Sequence, residues 1–405
     1  MGGFDAARGL WRLAAPQALR RRAAPAVRGF VRRWVGARLP AARTTPAAGP
    51  IRVVGFHAGS HGMAASAQLF ARALEALGAP VERVAIAEGY DRAARLPRPT
   101  AAAAWIFNLN PPELPLALAS LGPSRILGPR YGVWGWELPA APAAWLRDAA
   151  LLTEVWPPSR YTADALAGAA SPVRVVWQPL ILADYEGIPP APRTHAFQAV
   201  ALADFNSSLA RKNPLGAIEA FARAFGDDPA ARLTLKTQNG ARFPEALAAL
   251  RAAAPANVEV VDAVWPYARV MSLIAGADAL VSLHRAEGFG LPMAEAMALG
   301  TPVVATAFSG NLDFMDDSTA LLVPAGRTAV EDPQGVYAGQ AWAEPDLAAA
   351  AAALTRLRFD PALGRRLAAA ARIRVAEQLS PEAWLLSLPE DLQAAVVRAA
   401  AAAAA

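Results

Sequence analysis

From Ile51 onward, short apolar runs alternate with stretches whose apolar residues recur at helical spacing. Ile51-Arg-Val-Val-Gly-Phe56 reads as a short buried strand, His57-Ala-Gly-Ser-His-Gly-Met63 as a glycine-bearing loop, and residues 64–77 as a helix stopped by Gly78. Strand, glycine loop and helix open the nucleotide-binding type of α/β fold. Further runs at Ala104–Phe107, Arg125–Leu127, Leu152–Val155 and Val173–Trp177 predict strands. A second alternation places strands at Ala196–Ala203, Leu233–Lys236, Val258–Ala263, Ala279–Leu283 and Pro302–Ala307. Helices fall between them at Pro214–Phe225, Pro244–Ala254, Tyr267–Ala275 and Pro292–Leu299. Repeated strand–helix units imply a parallel sheet covered on both faces. The pattern predicts an α/β protein of two Rossmann-like domains, the natural division of 405 residues at roughly 100–200 per domain.

Local composition sets the boundaries. The prolines of Ile188-Pro-Pro-Ala-Pro-Arg193 stiffen the chain and stop regular structure, so residues 188–195 are the expected linker between domains at 51–187 and 196–380. Residues 381–405 form a last helix over 381–399 and an alanine-rich tail. Residues 1–50 are a basic lead-in, in which Val27, Phe30, Val31, Trp34 and Val35 follow helical spacing with Arg28, Arg32, Arg33 and Arg38 interleaved. Residues 16–39 therefore predict a cationic amphipathic helix. It either contacts an anionic membrane surface peripherally or packs on the protein body, the remaining reading being a disordered basic tail.

Charge changes the picture in one respect. The lead-in carries ten Arg and one Asp, a charge of +9, which leaves −4 on the rest of a chain whose net charge is +5. A globular body without its own basic face is not expected to bind nucleic acid. The absence of cysteine excludes disulfides and thiolate metal sites and fits a reducing compartment. No run of about 18 apolar residues predicts a spanning helix, and the scattered arginines do not make a signal peptide. The expected location is the cytoplasm, with the lead-in as the candidate contact to the inner face of the membrane.

The candidate chemistry centres on Glu287-Gly-Phe-Gly-Leu-Pro-Met-Ala-Glu295. It follows the strand Ala279–His284, so the loop Arg285–Leu291 lies at the carboxyl end of a parallel strand, where open α/β sheets bind ligands. Gly288 and Gly290 permit close backbone approach beside a helix N-terminus, an arrangement that binds phosphate. Glu295, expected in the first helical turn, can accept two hydrogen bonds from a ribose diol. Glu287 can do the same for sugar hydroxyls. One acid at each end of a pyrophosphate suits a nucleotide diphosphate sugar.

The run from Glu287 through Gly300-Thr-Pro-Val-Val304 resembles the Glu-x7-Glu signature of retaining GT-B glycosyltransferases of family 4, the glycosyl transferases group 1. Ser282-Leu-His-Arg285, Ser309-Gly-Asn311, Trp342-Ala-Glu-Pro-Asp346, Arg211-Lys-Asn-Pro214, Trp134-Gly-Trp-Glu-Leu138 and Glu154-Val-Trp-Pro-Pro-Ser159 match in family order, over residues 51–375. The resemblance implies two Rossmann-like domains facing across a cleft, a C-terminal helix that crosses back, and hexosyl transfer with retention. Glu287 and Lys212 are the implied catalytic residues. Phe289 and Leu291 join Gly288, Gly290 and Glu295 on the donor side. Similar enzymes carry a basic residue near Asn206, so one cation is missing there, and Arg211 or a backbone amide is expected to replace it. Lys236 is either a donor-site residue or an ordinary strand-end charge, and Ser309 and Asn311 either line the donor pocket or make a turn.

The first domain is expected to hold the acceptor. Gly59 and Gly62 would let its first loop approach the diphosphate. Asn108 and Asn110 stand where related enzymes often carry His; they can orient a hydroxyl but not act as a base. Glu137 is expected to bind hydroxyls, with Trp134 and Trp136 in the core. His57 and His61 flank a glycine-bearing loop, which argues against a zinc pair. No Asp-x-Asp occurs in the chain, so the expected reaction uses no metal and no cofactor beyond the nucleotide-sugar donor. The expected acceptor is a saccharide or lipid-linked glycan of bacterial polysaccharide assembly. An epimerase or hydrolase of the same fold, or a non-catalytic binding protein, is the alternative.

Overall fold

The computed structural model describes residues 17–41, 45–46, 49–59, 61–86, 96 and 98–404. The first part of the basic lead-in, residues 1–16, lies outside these. The chain starts with helix α1 (Gln17–Gly36) and enters a sheet of β1 (Ile51–Gly55), β2 (Val81–Ala85), β3 (Ala104–Phe107), β4 (Arg130–Val133) and β5 (Glu154–Trp156). The order is β2-β1-β3-β4-β5 and every pairing is parallel. Helices α2 (Gly62–Ala76), α3 (Leu114–Leu121), α4 (Ala143–Asp148) and α5 (Arg160–Ala165) connect the strands. β1, β3 and β4 are buried at every residue, which is why β3 appears in the sequence as an unbroken apolar run and β1 as one interrupted only by Arg52. β4 escapes that reading because it begins with Arg130, whose buried guanidinium donates from Nε to Leu151 O at 3.0 Å.

Two expected strands of this domain are corrected. Val173–Trp177 makes a single bridge, Val155 to Val173, and no ladder. Pro157 and Pro158 end β5 at Trp156 and remove the amide donors a longer pairing needs. Of Arg125–Leu127 only Ile126–Leu127 is extended, pairing Thr100–Ala101 outside the main sheet.

The second sheet holds β6 (Phe197–Asp204), β7 (Ala231–Gln238), β8 (Val258–Asp262), β9 (Ala279–Ser282), β10 (Val303–Thr306) and β11 (Leu321–Val323), ordered β8-β7-β6-β9-β10-β11 and parallel throughout. Its helices are α6 (Leu209–Lys212), α7 (Pro214–Phe225), α8 (Pro244–Ala253), α9 (Tyr267–Ala275) and α10 (Leu291–Leu299). The strand order reverses between β6 and β9, so the loops after those two strands border the ligand crevice of this domain. An antiparallel hairpin, β12 (Ala325–Ala329) and β13 (Ala341–Pro345), follows, then α11 (Leu347–Phe359) and α12 (Pro361–Leu379). The irregular segment 188–195 joins the two sheets; Ala191 N donates to Ser272 O at 2.8 Å and Arg193 pairs with Asp278.

The chain then returns to the first domain through α13 (Pro381–Leu385) and α14 (Glu390–Ala404). Trp384, Leu388, Leu392 and Val396 pack with Ile51, Phe70 and Leu74 in one apolar cluster. The helix expected over 381–399 is thus two, separated at Leu386-Ser-Leu-Pro389 because proline disfavours helix at the residue before it. α1 also packs on the first domain: Val31 and Val35 are buried with Leu114, Leu118 and Leu121 of α3. Val27 and Phe30 face outward, so the expected apolar stripe is divided between body and solvent. Among the described residues no helix is long and apolar enough to cross a membrane.

Candidate functional site

The loop after β9 is held in shape before it can bind anything. Gly290 caps α10 at φ +99°, a conformation that L side chains rarely adopt. A side chain at Gly310 would run into the carbonyl of Gly288. Ser309, itself at φ +77°, accepts the Glu287 amide on Oγ at 2.8 Å, and Gly310 N donates to Glu287 O at 3.0 Å. Asn311 is buried, donating from Nδ2 to Thr306 O at 3.1 Å, with Oδ1 3.1 Å from His284 Nε2. Ser309 and Asn311 therefore fasten the loop. Phe289 is buried against Phe314, ring centroids 4.9 Å apart. Leu291 is the first residue of α10, and Glu295 consequently falls in the second turn and not the first.

Two cations meet on Glu287. Lys212 Nζ is 2.6 Å from Oε1 and Arg211 Nη1 is 3.1 Å from Oε2. The short helix α6 aims both: Ser208 accepts the Arg211 amide at its start, and Asn213 closes it in the left-handed region at φ +50°. Arg211 is only 4% exposed and also donates to Ala286 O and Ser207 Oγ, both at 2.8 Å. Burial by itself would raise the Glu287 carboxyl, but Arg211 and then Lys212 outweigh it and hold the pKa at about 2. A small cavity opens between Lys212, Glu287, Leu202, Ser282, Pro292 and Met293.

The other donor-side residues are placed less simply. Asn206 accepts on Oδ1 from Arg242 Nη1 at 3.0 Å, so a cation does stand at that position. It comes from the turn after β7, and Arg211 is already taken up by Glu287. Lys236 is buried and donates from Nζ to the carbonyls of Thr237 at 2.7 Å and Ala263 at 2.5 Å. Burial lowers its pKa. Glu295 is buried too and accepts from Tyr267 OH at 2.7 Å, with Tyr185 OH 3.1 Å further along. Burial pushes its carboxyl up to about 7 against the opposing hydrogen bond of Tyr267. One Glu295 oxygen thus already has a protein partner.

The first domain closes directly onto this loop. Gly288 O accepts from Ser159 Oγ at 2.6 Å and from Thr162 Oγ1 at 3.3 Å. A side chain at Gly288 would touch the Trp136 carbonyl at 3.4 Å. Asp313 Oδ2 accepts the Arg160 amide at 2.8 Å and Trp177 Nε1 at 3.3 Å. Glu137 Oε1 lies 4.0 Å from Arg211 Nη2, and its Oε2 accepts from Tyr337 OH at 2.8 Å. Glu137 and Glu287, from different domains, therefore face the same guanidinium. Trp134 is fully buried, whereas Trp136 is half-buried, packed between Trp145 and Tyr337 at 4.9 and 5.6 Å.

Asn110 accepts the Gly135 amide on Oδ1 at 3.0 Å and so fixes the loop that carries Glu137. Asn108 is buried beneath it and accepts from Ser66 Oγ of α2 at 2.6 Å, a contact inside the domain. Gly59 N donates to Phe56 O in a turn, and Gly62 starts α2 in open space. His57 Nε2 lies 2.9 Å from Val53 O, and His61 stands edge-on to Phe56. Among the described residues no group of three His, Asp or Glu is placed to hold a metal ion.

Tyr337, Ser159, Thr162, Arg242 and Tyr267 were not singled out as site residues by sequence reasoning. Tyr337 lies in a turn-rich segment without periodicity. Ser159 had a signal, a polar residue after Pro157-Pro158 at a helix start, but nothing in that pattern names its partner.

Residues 205–331 match the family model described as glycosyl transferases group 1. No curated protein matches the chain. Among solved structures, a TarM variant from S. aureus in complex with fondaparinux, alpha-GlcNAc-glycerol and UDP is 14% identical, with a TM-score of 0.50 over 70% of this chain and 54% of its own. This chain thus spans about half the length of TarM. Sucrose-phosphate synthase from Thermosynechococcus elongatus is 18% identical, with a TM-score of 0.59 over 88% of this chain and 100% of its own. A glycosyltransferase from Rickettsia africae is 12% identical, with a TM-score of 0.60 over 85% and 97%. The chain has the GT-B fold, two Rossmann-like parallel-sheet domains facing across a cleft, and carries the sequence pattern of glycosyl transferases group 1 over residues 205–331.

Proposed function

We propose that the protein is a glycosyltransferase that moves a hexosyl group from a nucleotide diphosphate sugar to an acceptor hydroxyl. The observation that carries this reading is the buried Glu287, held by Lys212 and Arg211 where the strand order reverses and beside the start of α10. Such a place favours an anion, through the dipole at the start of α10 and the Lys212 ammonium. On donor binding the diphosphate takes up Lys212, and Glu287 turns its released oxygen to the sugar. Transfer proceeds with retention and without a metal. The acceptor oxygen bonds to the anomeric carbon on the face the phosphate leaves, the bond from that carbon to the phosphate oxygen breaks, and the acceptor's proton passes to the departing phosphate. Lys212 and the N-terminal dipole of α10 stabilise the charge that develops there.

TarM was solved with UDP, so UDP-sugars head the panel that tests the proposal. A matching donor at 100 times its Kd should stabilise the fold by about 2.7 kcal/mol, read as a rise in Tm. UDP-, GDP-, ADP- and dTDP-sugars that all leave Tm unchanged at millimolar concentration sink the assignment. Turnover of donor without any acceptor identifies an epimerase or hydrolase instead.

The acceptor class we propose is a saccharide or a lipid-linked glycan of bacterial polysaccharide assembly. Support comes from the outer face of α1, where exposed Val27 and Phe30 lie among Arg28, Arg33 and Arg38. Such a face attracts anionic lipid. The full chain should sediment with vesicles containing phosphatidylserine, and Phe30→Glu should weaken this several-fold. Equal sedimentation with neutral vesicles removes the support.

A further inference from the structure

The tip of the hairpin β12–β13 reaches across the cleft to the first domain, and the family pattern ends as that tip begins, at residue 331. Its side chains have partners on both sides. Toward its own domain, Asp332 Oδ1 accepts from Ser208 Oγ at 2.9 Å, and Gln334 joins Leu209 N and Phe205 O at 2.6 and 2.7 Å. These bonds tie the tip to the turn that aims Arg211 and Lys212. Toward the other domain, Tyr337 OH donates to Glu137 Oε2 at 2.8 Å, and Gln340 makes a reciprocal pair with the Ala140 amide and carbonyl at 2.8 and 2.9 Å. The Tyr337 ring also packs on Trp136 and lies 6.0 Å from the Arg211 guanidinium. Glu137 is thereby held at Arg211, and the Trp136 backbone is held against Gly288.

Resting on the nucleotide-sugar reading of this site, we infer that Tyr337 is a positioning residue for Glu137 and that the hairpin tip is a latch across the donor cleft. With the Trp136 carbonyl only 3.4 Å from where a Gly288 side chain would begin, the closed tip leaves little room beside Gly288 for a diphosphate. In this proposal its binding requires the tip to release Glu137. The freed carboxylate then faces the reacting sugar from the acceptor side. A closed state that excludes ligand lowers apparent affinity by the fraction of molecules that are open. The bond from Tyr337 to a carboxylate is of the stronger kind, so its loss should shift that fraction measurably.

The test measures UDP, GDP, ADP and dTDP binding by calorimetry on the full chain, wild type against Tyr337→Phe, which keeps the ring on Trp136. The variant should bind its nucleotide up to about tenfold more tightly, or 1.4 kcal/mol. Gln340→Ala, outside the charged centre, should act in the same direction and more weakly. Glu137→Gln keeps an acceptor for Tyr337 but loses the charge, so it should tighten nucleotide binding less than Tyr337→Phe while lowering the rate of transfer. The chain has no cysteine, so spin labels at Ala144→Cys and Ala338→Cys, both exposed, report the span directly. Their distance should lengthen when nucleotide binds. Nucleotide binding with unchanged affinity in Tyr337→Phe and an unchanged label distance overturns the latch alone. No nucleotide binding by wild type or Tyr337→Phe overturns the donor-site reading together with it.

Discussion

Replacing Lys212 by Ala should lower kcat/KM for transfer by about 10²–10³-fold, the range for removing one preorganised group from a developing oxyanion. Thermal stability should change little. The Lys212 side chain is 20% exposed, and its removal leaves Glu287 still paired with Arg211. Partly exposed ion pairs contribute about 1 kcal/mol or less. Lys212→Arg should recover only part of the rate, because the guanidinium fork places its charge over a plane and not at a point. The split between rate and stability distinguishes a leaving-group role from a structural one. A Lys212→Ala enzyme with near wild-type turnover of a verified donor, or one that simply fails to fold, contradicts the assignment.

The two-sheet architecture was legible in the sequence because parallel strands covered on both faces must be largely apolar, and β1, β3, β9 and β10 are, with Arg52, Ser282 and Thr306 the exceptions. α7 and α9 match their predicted limits, Pro214–Phe225 and Tyr267–Ala275, since Pro at or before the first turn and Gly after the last mark the ends. Where the pattern failed, a tertiary contact decided. Arg130 opens a buried strand because its guanidinium finds a carbonyl, and Val173–Trp177 is no strand because prolines cut short its neighbour. β12 is exposed at four of its five residues, so its antiparallel pairing left no apolar alternation to read.

The site divides in the same way. The acidic and glycine positions of the loop after β9 were readable, since each follows from strand end, helix start and backbone freedom. Partners were not. Nothing in the sequence says that Glu287 meets both Arg211 and Lys212, that Tyr267 takes a Glu295 oxygen, or that Arg242 fills the position beside Asn206. Each of these pairings joins residues 28 or more apart in sequence, and they arise only when the sheet order brings separate loops to one edge. Asn108 and Asn110 show the reverse case. They stand at a promising strand end, and the fold uses them for α2 and the Glu137 loop.

Glu287 is where stability and chemistry coincide, and its replacement should have the largest combined effect. Glu287→Ala should abolish measurable transfer and also destabilise the fold by about 3 kcal/mol, because it leaves the buried Arg211 charge with only the more distant Glu137 at 4.0 Å. Glu287→Gln separates charge from shape. Its sign with pH follows from the carboxyl being held at about 2 in the fold against an ordinary value of 4.5. A depressed acid contributes stability fully above its unfolded value and loses it as pH falls through the folded one. Between about pH 5 and pH 2 the wild type should therefore lose about 3 kcal/mol that Glu287→Gln never had. Urea unfolding of both proteins at pH 7 and pH 3.5 measures the difference, and other acids such as Asp316 cancel because both chains carry them. Two proteins that lose stability in parallel would mean that the ion pair does not hold the loop. Glu295 cannot produce this slope: burial raises its carboxyl to about 7, so its contribution is present at low pH and lost as pH rises. A wild-type advantage that is full at neutral pH and shrinks toward acid belongs to Glu287, whose carboxylate Arg211 and Lys212 keep ionised down to about pH 2.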